Sequence, residues 1–142
     1  MSFSVSFIVF GTPVGKGRPR FRNTGKFVQT YTPKKTGDYE DTVRTSARAA
    51  MGSEKPLETP VSVYLYIRLP IPASYSKKRT QDCIDGIERP AKKPDIDNVA
   101  KAVMDAMNGI VYRDDCQIVD LHIAKVYAVT PAVEVVVSEQ LP

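Results

Sequence analysis

No stretch of this chain approaches the roughly 18 uncharged apolar residues that a bilayer-spanning helix requires, which argues against a membrane span. The opening residues Met1-Ser2-Phe3-Ser4-Val5 lack the basic and long apolar regions of a secretory signal, so the expectation is an intracellular protein. Cysteine is scarce: Cys83 and Cys116 have neither the number nor the spacing of a disulfide framework or a zinc site, and both read as free thiols. The only histidine, His122, stands between Leu121 and Ile123 in a strand-like run and reads as an ordinary structural or surface residue. Tyr and Phe are scattered without the spacing of a base-stacking platform, which argues against a dedicated single-strand binder. Acidic residues are missing from the first 37 positions: Asp38 is the first, and seven Lys or Arg precede it. The other 105 residues carry 13 basic against 16 acidic groups, so the net charge of +4 belongs to one region. Such a footprint suits a polyanion, although a basic surface also serves solubility.

The 142 residues are enough for one hydrophobic core and no sign of a second domain or internal repeat interrupts them, so residues 1–142 are read as a single domain. Ser2 to Phe10 alternates Phe3, Val5 and Phe7 with serines before turning apolar, the period-2 signal of a strand. Gly11 to Arg22 holds three glycines, two prolines and four basic residues and reads as a basic loop. A short strand follows at Phe27 to Tyr31. Thr32, a candidate N-cap, then opens a helix of about 16 residues that ends by Gly52. Val61 to Leu69 places Val61, Val63, Leu65, Ile67 and Leu69 on one face of a strand. From Pro70 to Pro94 the chain is polar and proline-bounded, with room for a short helix after Ser74, and is expected to be mobile. Ile96, Val99, Ala100, Val103, Met104 and Met107 recur at helical spacing up to Gly109. Gln117 to Tyr127 and Ala132 to Val137 read as closing strands joined at Thr130-Pro131. The expected architecture is a two-layer α/β domain.

The informative segment is Lys92-Lys93-Pro94-Asp95-Ile96-Asp97-Asn98, with Lys101, Asp105 and Asp114-Asp115 beyond it. On the helix, Asp97, Lys101 and Asp105 stand four residues apart and form a polar stripe opposite the apolar face. Asp95 lies just before that helix, and a strand returning from Asp114-Asp115 can bring a third carboxylate beside Asp95 and Asp97. Converging carboxylates repel unless a cation or protons neutralise them. With oxygen donors alone and no Cys or His placed to help, the metal implied is Mg²⁺ or Mn²⁺ rather than Zn²⁺. Lys101 beside such a metal could stabilise charge building on a phosphodiester or position the attacking water, so the implied chemistry is metal-assisted phosphodiester hydrolysis. Residue by residue a plainer account also holds: Asp95 as a helix cap, Asp97 and Lys101 as a surface ion pair, Asp114-Asp115 as a turn. A calcium-binding EF-hand loop would need further acidic positions that are absent.

In Gly15-Lys16-Gly17-Arg18-Pro19-Arg20-Phe21, Lys93-Pro94-Asp95-Ile96-Asp97-Asn98, Lys101, Asp105-Ala106-Met107-Asn108-Gly109 and Asp114-Asp115 with Gln117, the chain resembles the RusA-type Holliday junction resolvases, a family often carried by phages and prophages. The resemblance covers most of the chain. It implies catalytic aspartates at Asp95, Asp97 and Asp115 and a catalytic lysine at Lys101. It further implies a mixed-sheet α/β fold and a homodimer that binds a four-way junction in DNA recombination and repair, nicking two strands symmetrically with Mg²⁺. Asp114 and Asp105 are secondary candidates, Asp114 as a support for Asp115.

Around this centre, Lys16, Arg18, Arg20 and Arg22 alternate along an extended loop and could face a phosphate backbone. Lys77, Lys78, Arg79, Lys92 and Lys93 form a second candidate DNA-facing set. Gly11 to Gly17 is a poor phosphate-binding loop, with Gly17 where a Ser or Thr must follow Lys16, so no nucleotide cofactor is expected. Two other functions fit the same residues: a DNA-binding module without catalysis, and a less selective Mg²⁺ nuclease acting on flaps or other branched DNA.

Overall fold

The computed structural model describes residues 2–17, 20–23, 28–31 and 34–141. Strand β1 (Ser4–Phe10) follows its alternation, with Val5 and Val9 buried and Ser4, Ser6 and Ile8 turned outward. The next element corrects an expectation. Arg20–Asn23 forms strand β2, paired antiparallel with β3 (Val28–Tyr31), where a loop through Arg22 was expected. The glycines and prolines of that segment lie before Arg20, so they do not interrupt the pairing. Arg18 and Thr32 lie outside the described residues, and Arg20 and Arg22 take alternate positions along β2.

Helix α1 (Lys34–Met51) buries Tyr39, Val43, Ala47 and Met51 along one stripe, as an amphipathic helix should. Strand β4 (Val61–Pro70) supplies the centre of the core: Val61, Val63, Leu65 and Ile67 have no solvent exposure. Helices α2 (Lys77–Ile84) and α3 (Ile96–Ala106) fill the crossover to β5 (Ile118–Ala128), which runs parallel to β4, as a connection of this length permits. Strand β6 (Ala132–Glu139) then inserts between β1 and β4, antiparallel to both, giving the order β1-β6-β4-β5.

The result is a mixed four-stranded sheet with three helices in one α/β domain, as expected. Val5, Val9, Val133, Val135 and Val137 share the buried face with the odd-numbered residues of β4. The opposite face shows Tyr64 and Tyr66 with stacked rings and an Arg68–Glu134 ion pair of 2.9 Å. His122 is exposed on the edge strand β5. Cys83 is buried and Cys116 exposed, both as free thiols. No helix is long and apolar enough to cross a membrane, among the described residues.

The Pro70–Pro94 segment is anchored, contrary to the mobility expected of it. Ser76 caps α2 by accepting from the Arg79 amide, Cys83 is buried, and Arg79 forms a two-pronged pair with Glu88 at 2.8 and 3.0 Å. Arg89 donates to the Lys125 carbonyl, and the Lys125 ammonium donates to the carbonyls of Lys92 and Pro94. These contacts fix the approach to Asp95 against β5.

Candidate active site

Helix α3 begins at Asp95, whose extended backbone makes it the N-cap residue, yet its side chain makes no capping hydrogen bond. The carboxylate therefore remains available. Asp97 sits in the first helical turn, where the positive end of the helix dipole favours an anion, and is exposed. Lys101 is exposed one turn on, and the ion pairs among the described residues do not join it to Asp97. Neither the capping role nor the Asp97–Lys101 pair that could explain these residues away is formed.

Beyond α3 the chain turns sharply, with Gly109 at φ 77°, a left-handed conformation that glycine adopts without strain. The fully buried Tyr112 ties this turn to the helix by donating from its hydroxyl to the Met104 carbonyl at 2.7 Å. A single 3₁₀ turn, Asp115–Gln117, follows under a reciprocal cap. Asp114 accepts from the Cys116 amide at 3.1 Å, and Gln117 accepts from the Asp114 amide at 3.0 Å. Hydrogen bonds from the Cys116 thiol and amide hold the Asp114 carboxyl below its usual range. Asp114 thus shapes the turn that carries Asp115.

Asp115 is half-buried. Desolvation first, then a hydrogen bond with the Asp105 carboxyl and the charges of Asp114 and Asp105, push its pKa up, while Lys101 opposes the shift. Asp105 also receives Lys16, whose ammonium lies 3.1 Å from Asp105 Oδ2 and 2.7 Å from Glu40 Oε1. Burial alone would lower the Lys16 pKa, but the hydrogen bonds with Glu40 and Asp105 raise it on balance. Glu40 in turn accepts from Arg44 at 3.2 Å. Sequence reasoning missed Glu40, a residue only 6% exposed. Its signal was there: positions 40, 43, 47 and 51 share one helical stripe, so an acid at 40 interrupts an apolar face.

Lys16 reaches this cluster because the loop before it lies tightly on α3. Its amide donates to the Asn98 carbonyl at 2.9 Å. A Cβ on Gly15 would meet Asn98 Cβ at 3.2 Å and Pro94 Cβ at 3.3 Å. Gly15→Val is therefore expected to lift the loop from α3 and to cost about 1–3 kcal/mol of stability, read by urea unfolding. A loss below about 0.5 kcal/mol would mean that Asn98 and Pro94 give way freely.

Between this loop, the start of α1 and the Lys93–Asn98 segment lies an open cleft of about 590 Å³ whose lining includes Lys16, Lys35, Lys93, Asp95 and Asn98. Lys35 and Lys93 have no carboxylate partner among the described residues. Of the outlying candidates, Lys77 is exposed and Lys78 pairs loosely with Asp82 at 3.4 Å. Arg79, besides holding Glu88, lies 3.7 Å over the Tyr75 ring, and Lys92 faces the Tyr75 and Tyr127 rings.

Among the described residues, no group of three or more His, Cys, Asp or Glu side chains encloses a metal position. Asp97 and Asp105 are separated by about 12 Å along the axis of α3 at the usual helical rise, and Asp115 meets the Asp105 end. The donor set still fits a hard cation. It is all oxygen, Asp95 is uncapped, and Asp105 and Asp115 are carboxyls in contact that call for a proton or a cation between them. The fit is to an open site completed by water and substrate rather than a closed cage, which is the common pattern for Mg²⁺.

An α/β domain with one uncapped carboxylate, Asp95, in a cleft lined by Lys16, Lys35 and Lys93, and with Asp97 and Lys101 exposed on the helix that follows, has the make-up of a nuclease. The sequence family described as Endodeoxyribonuclease RusA matches residues 11–138, and the chain belongs to that endodeoxyribonuclease family of Holliday junction resolvases. The chain is also 38% identical over 141 residues to the uncharacterized protein YqaN of Bacillus subtilis (strain 168), a match covering 95% of this chain and 96% of that protein.

Proposed function

We propose that this protein is a Mg²⁺-dependent endonuclease that resolves four-way DNA junctions by paired symmetric nicks, acting as a homodimer in recombination and repair. The observation that carries the reading is the uncapped Asp95 at the mouth of the cation-lined cleft, on the same helix as Asp97, Lys101 and Asp105. Asp95, Asp97 and Asp115 would hold Mg²⁺, with Mn²⁺ as a substitute, which requires Asp115 to exchange its contact with Asp105 for the ion and to draw closer to Asp97. When bound, the ion supplies a Lewis acid and lowers the pKa of water. The exposed Lys101 ammonium offers a positive charge to the phosphodiester as negative charge builds on it. Lys35 and Lys93 hold the strand by its backbone, a contact without sequence information and weakened by salt. Arg18, Arg20, Arg22, Lys77, Lys78 and Lys92 would extend this surface. Lys16 and Arg79 are occupied by carboxylates, and their contribution is to hold the site in shape.

The test is cleavage of an end-labelled four-way junction and its matched linear duplex, with Mg²⁺ or with EDTA. Paired symmetric nicks in the junction alone, and only with Mg²⁺, are the expected result. Equal cutting of both substrates would mean a less selective nuclease, and binding without cutting would mean a non-catalytic module.

A further inference from the structure

A second cavity, of about 280 Å³, adjoins the cation-lined cleft at the end of β4. Its walls are Leu69, Pro70, Ile71 and Pro72. Two of these four residues are prolines, which carry compact apolar rings and no amide hydrogen to be left unpaired. Thr12, Lys93 and Pro94 line both cavities, so the two adjoin across these residues. Lys92 and Lys93 stand on the border of the apolar part, and neither has a carboxylate partner among the described residues.

Across this border the chemistry changes: cations and the single carboxylate of Asp95 on one side, then an apolar chamber with cations at its edge. A nucleotide has the same two ends, a phosphate that seeks cations and a flat base that seeks apolar surface. The chamber lies just below the roughly 300–1,000 Å³ usual for small-molecule sites, with room for a single base. Pro94 borders it and Asp95, the next residue, borders the phosphate end, so a strand with its phosphodiester at Asp95 has a neighbouring base within reach.

We propose that this chamber is a base pocket, which receives one nucleobase unstacked from the strand whose phosphodiester lies against Asp95. The inference rests on the reading of the protein as an endonuclease for branched DNA and adds a source of its selectivity. Extruding a base costs least where pairing or stacking is already interrupted, as at a branch point, and most within a continuous duplex. A pocket that must be filled for the strand to seat therefore favours junctions over linear DNA.

The experiment first maps the nick in a four-way junction, then places the fluorescent base 2-aminopurine at the nucleotide on either side of it. Fluorescence is followed as protein is added in EDTA. A severalfold rise at one of the two positions is expected, because 2-aminopurine brightens when it leaves the stack. Ile71→Arg fills the chamber without reducing its positive charge and should remove the rise and narrow the preference for junction over duplex. Ile71 also packs against the core, so Thr12→Met, at an exposed position on the shared border, serves as a second variant whose folding is not in question. A junction that is bound and cut with no rise at either position, or a rise that survives in both variants, overturns the pocket while leaving the endonuclease reading intact. Absence of any cleavage overturns both.

Discussion

In Asp115→Asn the proposed Mg²⁺ site loses a carboxylate ligand, and junction cleavage is expected to fall by about 10²- to 10³-fold, comparable to loss of one electrostatic contributor to the transition state. The metal-free protein should at the same time become more stable. Asp115 is desolvated and pressed against the Asp105 carboxyl, with Asp114 nearby, so its ionised form opposes folding. A carboxyl held above its ordinary range contributes stability that is fully present below the unfolded-state pKa and is lost as pH rises through the folded one. Asn does not ionise. Melting temperatures in EDTA should therefore favour the variant at neutral pH and converge as pH falls below the unfolded-state range. Mg²⁺ should raise the melting temperature of the unaltered protein, since a ligand bound only by the fold stabilises it, and should do so less in Asp115→Asn. Cleavage at the unaltered rate would remove Asp115 from the site. A lower melting temperature in EDTA would mean that the Asp105 contact is a favourable structural bond.

Glu40→Ala carries the second large effect, on stability. Glu40 is buried and accepts from both Lys16 and Arg44, so its removal takes one of two carboxylate partners from each cation, leaving Lys16 with Asp105 and Arg44 with Asp41. Breaking a fully buried pair costs about 3–5 kcal/mol; with Lys16 and Arg44 partly in solvent and each keeping a second carboxylate, about 1–2 kcal/mol is expected. Urea unfolding measures it. Lys16 would also lose one of its two anchors, and its hold on Asp105 should loosen. Cleavage by the folded variant should fall in consequence, while binding of junction in EDTA is retained. A stability change under about 0.5 kcal/mol would show that the Lys16–Glu40–Arg44 chain contributes little.

Much of the fold was readable from local pattern. The alternation in Val61–Leu69 and Ser2–Phe10 marked β4 and β1, and the 3.6-residue repeat after Asp95 marked α3 to within a residue of its end. The strand β2 was not readable, because Arg20–Asn23 has no hydrophobic alternation and owes its conformation to pairing with β3. The Pro70–Pro94 segment looked loose because its anchors, Glu88 for Arg79 and β5 for Arg89, are polar contacts that composition does not reveal.

The candidate site divides in the same way. Spacing along one helix placed Asp97, Lys101 and Asp105 on one stripe, and the capping position of Asp95 followed from where the helical pattern begins. Spacing did not show that Asp105 is the carboxyl that meets Asp115, or that Lys16 turns inward to Glu40 and Asp105 rather than outward.

By itself the sequence determined the element types other than β2 and the chemistry of the donors, since strand and helix periods are properties of the local backbone and residue identity sets which ligands are possible. The tertiary structure alone decided that β6 inserts between β1 and β4, that the Gly15 loop lies on α3, and that an apolar chamber adjoins the cation-lined cleft. These depend on contacts between residues far apart in the chain, which form only when packing selects one closure of the intervening segments among many of similar entropy.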